Sequence, residues 1–344
     1  MKKAIITGIT GQDGAHLSNQ LISEGVQVFG TFRRGSYHKT WRLDELGITD
    51  EVTLIESQLN EPISFVKILK EIQPDFVFHL AGASFISDSY RYPVSTFELN
   101  TIGTANILEA CKTSCNDAKI FFASSSEIFA GNSQNLPLNE DSIPLPSNPY
   151  GVSKLAANQL VKIYRDCYGM NCCSGILFNH EGPFRSRQFV TRKISYNLAR
   201  LKRVGGESIK IGNLEAKRDW GFAEHYAINM HKLLDKGINE DMVFATGKLT
   251  SVREFLHHAA LCAGFSPHFE GEGLNEICYD RLTGKEIAKV SEKYFRKYDT
   301  NGLIGDSKKL QKTLGLNQEV SIEMMAEEMV KADLRRIDEG RVDV

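Results

Sequence analysis

Tyr150 and Lys154 stand four residues apart, downstream of the hydroxyl run Ser124-Ser125-Ser126, and Glu127 follows that run directly. Tyr-x-x-x-Lys with an upstream hydroxyl suits oxidation of an alcohol by hydride transfer to a nicotinamide. A free tyrosine titrates near ~10, too high for a base at neutral pH. A neighbouring ammonium and a positive nicotinamide ring would both lower that value. The spacing puts Tyr150 and Lys154 on one face of a helix. Asn148-Pro149 ahead of them reads as the helix entry, since proline fits a first turn. An exposed amphipathic helix is the plainer reading of the pair. Glu127 adds what alcohol oxidation alone does not need. A carboxylate there can remove a carbon-bound proton next to a newly made ketone, and so eliminate water from a sugar. Its plainer reading is a surface carboxylate or a capping partner. A reductase or an epimerase has no use for it.

Such chemistry needs a cofactor. Thr7 is followed by Gly8, Ile9, Thr10, Gly11, Gln12, Asp13 and Gly14, between an apolar run and a helical pattern. Glycines there let a pyrophosphate approach the backbone at a helix N-terminus. The spacing is Gly-x-x-Gly-x-x-Gly, and an ordinary strand-to-helix turn is the alternative. The second apolar run ends in Arg33-Arg34 where an NAD site would place an acid, so the expected cofactor is NADP, with the arginines on its 2′-phosphate. A solvated basic loop is the bland alternative.

Asn179-His180-Glu181 only superficially resembles a metal site, because no further ligand lies at metal-binding spacing; the expected metal is none. Arg185, Arg187, Arg192, Lys193, Lys217, Arg218 and Arg296 form either a clamp for a diphosphate or a solvated face. His257-His258 reads as structural or exposed.

The elements that must hold these groups alternate in type. Strands are expected at Lys3–Thr7, Gln27–Phe32, Val52–Glu56, Asp75–Leu80, Lys119–Ala123 and Cys172–Phe178. Helices are expected at Ala15–Glu24, Ile63–Ile72, Val94–Cys111 and Tyr150–Tyr168. The alternation predicts an α/β fold, a Rossmann-type doubly wound parallel sheet with a smaller mixed α/β substrate-binding domain. Residues 1–178 form the cofactor domain with the catalytic residues; 179–344 form mainly the substrate domain, with some segments returning to the sheet. Val290–Ile304 and the helix Ile322–Glu339 belong to the smaller domain. Gly8, Gly82, Ser125 and Asn179 follow expected strands, so they converge on the rim where such sheets bind ligands.

Bulk properties narrow the partners. A net charge of −2 gives no basic balance for nucleic acid. No apolar stretch approaches the ~20 residues of a membrane span, and the N-terminal apolar run is too short for a signal peptide. The seven cysteines are scattered, which predicts free thiols and a cytoplasmic location.

The motifs together resemble the extended short-chain dehydrogenase/reductases, and within them the GDP-mannose 4,6-dehydratase family. The resemblance is carried by Thr7–Gly14, Arg33-Arg34, Ser125–Glu127, Pro149–Lys154, Gly175–Glu181, Phe189–Ile194, Gly212–Gly221, Ser251–Phe255, Tyr294–Arg296 and Gly305-Asp306. It implies NADP held by Gly8–Asp13, Gln58, Leu59, Leu80, Ala81, Ser84, Lys154, His180 and Arg185. It implies Ser125, Glu127 and Tyr150 as the catalytic set, with serine where the family has threonine. Ser84, Asn179, Lys193, Arg218 and Arg296 fall in segments that contact the nucleotide sugar. A homo-oligomer, dimer or tetramer, is also implied. The activity implied is conversion of GDP-mannose to its 4-keto-6-deoxy derivative. Gly82 and Ala83 replace the family's alanine and glutamine, and Gln58 its aspartate. The smaller pair leaves another GDP-sugar, GDP-N-acetylglucosamine or a GDP-heptose, as an alternative. A same-fold epimerase or 4-ketoreductase, or a non-catalytic cofactor-binding regulator, remains beyond that.

Overall fold

Near-continuous apolar runs become parallel strands when helices cover both sheet faces, and the computed structural model has that arrangement. It describes residues 1–35, 39–132, 136–295, 302–316 and 321–341. Contacts divide the chain into two compact units. The larger comprises Met1–Phe178, Ala223–Ala245 and Gly305–Asn317; the smaller comprises Asn179–Phe222, Thr246–Ile304 and Gln318–Val344.

In the larger unit, β1 (Lys3–Thr7), β2 (Gln27–Phe32), β3 (Val52–Glu56), β4 (Phe76–His79), β5 (Lys119–Ala123) and β6 (Cys172–Leu177) form one sheet with the strand Met242–Phe244. The spatial order is Met242–Phe244, β6, β5, β4, β1, β2, β3, and every pairing is parallel. The expected doubly wound sheet is therefore present. The order reverses between β1 and β4, the crevice where such sheets take ligands. Every residue of β4 is buried, as suits a central strand. Ile5, Val77 and Phe122 pack on one face beneath Ile107, Leu108 and Val161 of the covering helices.

One expected element is corrected. The pattern over Val94–Cys111 reads as a single helix, but the chain forms Pro93–Phe97, a π turn at Glu98–Ile102, and a helix from Gly103 to Ser114. The π turn shifts the side-chain register, and Asn100 within it is buried. Its partners, described below, explain the break. The helix Ile322–Asp338 matches its expectation to within a residue, and residues 296–301 of the stretch Val290–Ile304 lie outside the described residues.

The smaller unit has a four-stranded sheet ordered Pro267–Glu270, Ile277–Asp280, Glu286–Val290, Ile209–Ile211. Helices Val190–Arg203, Val252–Cys262 and Ile322–Asp338 bury Leu198, Phe255, Met325 and Met329 in its core. Ser251 begins the second of these helices with a reciprocal cap to Glu254. Among the described residues no helix is long and apolar enough to cross a membrane.

Candidate active site

Asn148 does two jobs. Its side-chain oxygen accepts from the Gly151 amide at 2.8 Å, capping the helix Pro149–Tyr168. Its amide nitrogen donates to Glu127 Oε2 at 2.7 Å. One residue thus starts the helix of Tyr150 and Lys154 and fixes the carboxylate. The contact is close: a Cβ at Gly151 would lie 2.4 Å from the Glu127 carbonyl oxygen, so only glycine fits there. Ser125, just past β5, opens the short turn Ser126–Phe129, and its Oγ accepts from the Glu127 amide at 3.2 Å.

Tyr150 and Lys154 are both buried, one helical turn apart. Lys154 Nζ donates to the carbonyl of Ala123, the last residue of β5, at 2.8 Å and lies 4.9 Å from the centre of the Phe122 ring. Burial pulls its ammonium down to about 8. Ser125, Glu127, Tyr150 and Lys154 are therefore gathered at the carboxyl end of β5 and the head of one helix.

The floor beside them is built from β1 and β4. Gly8 has φ +75°, and a Cβ there would sit 3.0 Å from the backbone of Ala81. A Cβ at Gly14 would come within 2.6 Å of Ile9 Cα and 2.7 Å of the Gly8 oxygen. Gly11 amide closes the turn onto Gly8 at 2.9 Å, and the helix Gln12–Ser23 opens from Gly11 without a side-chain cap. Bare backbone at a helix N-terminus is what a dinucleotide's pyrophosphate needs, so Gly8, Ile9, Thr10, Gly11, Gln12, Asp13 and Gly14 fit that group. Arg33 and Arg34 are exposed directly after β2, as is Gln58 after β3; Leu59 is half-buried, its carbonyl bonded by Asn106 at 2.8 Å. After β4, Leu80 and Ala81 are half-buried and Ser84 is exposed.

Three residues of this floor escaped the sequence reading. Arg42 donates to the Thr10 carbonyl at 2.9 Å and stacks on Trp41 at 4.4 Å. Asn100 holds Ala83 through both its amide (2.8 Å) and its carbonyl (3.1 Å) and donates to Ser153 Oγ at 2.9 Å. His79 lies buried between Thr7 and Thr104. The signal for the last two was a polar residue inside an otherwise apolar pattern. Asn100 also bears on Gly82: a Cβ there would lie 2.7 Å from Asn100 Oδ1 and 3.6 Å from Lys154 Nζ. The room left by the missing methyl is thus partly taken by Asn100.

The remaining candidates belong to the smaller unit. Asn179 is half-buried, its carbonyl accepting from the Gly221 amide at 2.8 Å, and His180 is buried in a two-residue strand. Glu181 is engaged by Arg185 at 3.1 Å and by Thr191, and Arg185 stacks on Phe189 at 3.5 Å. Lys193 lies 3.5 Å from the centre of the Tyr294 ring, its ammonium pulled down by burial and by Lys293. Arg218 is half-buried and donates to the Lys217 carbonyl at 2.7 Å. Arg296 lies outside the described residues. Arg192 is no clamp for a diphosphate. It is wholly buried, with Nε 2.9 Å from both oxygens of Asp333.

Residues 5–329 match the family model described as GDP-mannose 4,6 dehydratase. The chain belongs to the GDP-mannose 4,6-dehydratase family. It is 36% identical over 353 residues to the GDP-mannose 4,6-dehydratase of Yersinia enterocolitica, covering 98% of this chain and 95% of that one. It is 37% identical over 339 residues to the GDP-mannose 4,6 dehydratase of Homo sapiens, covering 96% and 91%. Among solved structures, RMD from Pseudomonas aeruginosa complexed with NADPH shares the fold at a TM-score of 0.77, with 23% identity over 98% of this chain and 100% of that one. In this member of the family the Glu127 carboxylate is held by Asn148 at the head of the helix of Tyr150 and Lys154.

Proposed function

We propose that the protein is a nucleotide-sugar 4,6-dehydratase that converts GDP-mannose to GDP-4-keto-6-deoxymannose with NADP as recycled hydride carrier. The observation that carries the reading is Glu127, fixed by Asn148 at the head of the helix of Tyr150 and Lys154. NADP, when bound, supplies a hydride acceptor for carbon 4 and a donor for carbon 6. The cradle Gly8–Gly14, with Leu80, Ala81 and Ser84 beside it and Lys154, His180 and Arg185, would hold it, and Arg33 and Arg34 would take its 2′-phosphate. Gln58 and Leu59 complete the residues that would hold it.

Tyr150 removes the proton of the 4-hydroxyl. The Lys154 ammonium, held on Ala123, stabilises the tyrosinate that does so. Ser125 donates to the sugar oxygen. With carbon 4 a ketone, the hydrogen on carbon 5 is acidic, and Glu127 takes it. The same carboxyl then protonates the departing 6-hydroxyl, so water leaves. The proton that Tyr150 took from the 4-hydroxyl is passed to carbon 5, so substrate becomes keto product plus water, with no net oxidation. Asn179, Lys193, Arg218 and Arg296, together with Ser84, are the proposed nucleotide-sugar contacts. A cytoplasmic homo-oligomer, dimer or tetramer, completes the reading; its support is the seven free thiols and the family. Light scattering measures the assembly.

The Gly82-Ala83 pair supports a second reading, a larger GDP-sugar, but Asn100 already presses against the space at Gly82. Purified protein is to be compared on GDP-mannose, GDP-N-acetylglucosamine, a GDP-heptose and a UDP-hexose. GDP-mannose should show the highest kcat/KM, with product one water lighter. Turnover confined to a UDP-sugar would overturn the proposal.

A further inference from the structure

We infer that His79 is a positioning residue: fixed as its Nε2–H tautomer, it gives one donor direction to a buried hydrogen-bond chain tying the Leu80–Ser84 segment to the helix of Tyr150.

The direction is set at the Thr104 end, and the Thr7 end accommodates it. Thr104 Oγ1 donates to the Asn100 carbonyl at 2.6 Å. A hydroxyl has one proton, so at the 3.1 Å contact with His79 Nε2 the Thr104 oxygen must accept. Nε2 therefore carries a proton. At the other end, Thr7 Oγ1 accepts from the Ala81 amide at 3.1 Å and lies 2.7 Å from His79 Nδ1. Its proton is free to point at Nδ1, which accepts. The ring is neutral: it is 2% exposed, and burial, with Lys154 adding to it, holds its pKa at about 3. A neutral ring donating at Nε2 and accepting at Nδ1 satisfies both contacts, whereas the other tautomer would set an unprotonated Nε2 against a Thr104 oxygen whose proton is already given to Asn100.

The chain continues past Asn100. The Asn100 side chain grips Ala83 at both amide and carbonyl and donates to Ser153 Oγ. Ser153 Oγ donates to the Tyr150 carbonyl at 2.7 Å. The loop beside the cofactor cradle and the backbone of the proposed base are thus held by one directional series. The consequence is kinetic: loosening it should slow the hydride and proton steps and leave nucleotide-sugar affinity alone.

This deepens the dehydratase reading and rests on it for the kinetic arm alone. The first measurement needs no substrate. In ¹⁵N-histidine-labelled protein, two-bond proton–nitrogen correlation should place the His79 proton on Nε2, unchanged from about pH 6 to 9. An Nδ1–H ring, or titration in that range, overturns the inference. The second compares two variants. Thr104→Val keeps the shape and deletes the hydroxyl; Thr104→Ser keeps the hydroxyl and deletes the methyl. Thr104→Val should lower kcat about tenfold with KM for GDP-mannose changed by no more than about twofold, and Thr104→Ser should retain most of kcat. A packing role gives the opposite order, with valine mild and serine worse. That order, or equal effects, overturns the inference. Failure of every variant and of the parent to turn over GDP-mannose counts against the dehydratase reading, and the tautomer still decides this one.

Discussion

At the scale of single residues, the role proposed for Glu127 is the step that separates elimination from oxidation. Glu127→Gln keeps the shape and cannot take a proton. Its Oε2 partner is the Asn148 amide at 2.7 Å, and a glutamine oxygen can still accept there. Overall dehydration should fall by roughly 10²–10⁴, and solvent deuterium should no longer enter carbon 5. Wild-type dehydration by this variant would remove Glu127 from the mechanism. Lys154 makes a prediction about stability. Its pKa is lowered to about 8 in the folded chain from 10.5, so between those values the unfolded chain holds the extra proton. Stability from this group therefore rises with pH through that window and is lowest below it. From about pH 7.5 to 9.5 the unfolding free energy of wild type, relative to Lys154→Met, should rise by about 2 kcal/mol. Urea unfolding at both pH values measures it, and a flat difference contradicts a buried, depressed lysine. Tyr150, Lys154, Ser125 and Glu127 stood out as candidates because residue type and short spacing alone suggest their chemistry, and the fold brings them together at the end of β5. Asn148 was legible as a helix entry; its hold on Glu127 was not, because nothing local in sequence reveals a contact across 21 positions.

At the scale of elements, strands were easy and one helix was not. β1, β2, β3 and β5 match the expected strands residue for residue; β1 and β5, buried almost throughout, show why, since a strand covered on both faces needs a nearly unbroken apolar run. The region Val94–Cys111 kept helical composition while its hydrogen bonding changed at Glu98–Ile102. Propensity does not register that change, because its cause is tertiary: Asn100 bonding Ala83 and Ser153. Gly82 belongs to the same contact. Gly82→Ala would put a Cβ 2.7 Å from Asn100 Oδ1, so the clamp on Ala83 must shift. We expect roughly a tenfold loss of kcat, and less than additive loss in the double variant Gly82→Ala/Asn100→Ala. Full additivity would show that the two positions act independently.

At the scale of the whole molecule, the sequence indicated the sheet, the cradle and the family resemblance, and it misjudged one arginine. Arg192 reads as a candidate anion clamp among its basic neighbours. Its partner Asp333 is 141 positions away, beyond any local pattern, and the pair, with Ser195 donating to Asp333 at 2.7 Å, is built into the core of the smaller unit. Asp333→Asn would leave the Arg192 guanidinium uncompensated and should destabilise the protein by about 3–5 kcal/mol. Calorimetry measures the loss, and a change below about 1 kcal/mol would contradict a buried, dependent pair. The proposed passage of hydride from carbon 4 to carbon 6 as water leaves can be followed with GDP-mannose deuterated at carbon 4. In ordinary water, with only the protein's own complement of NADP, the product should be one water lighter and retain the deuterium at carbon 6. A product that has lost the deuterium to solvent or to a free nicotinamide pool, or that has kept its water, would contradict it.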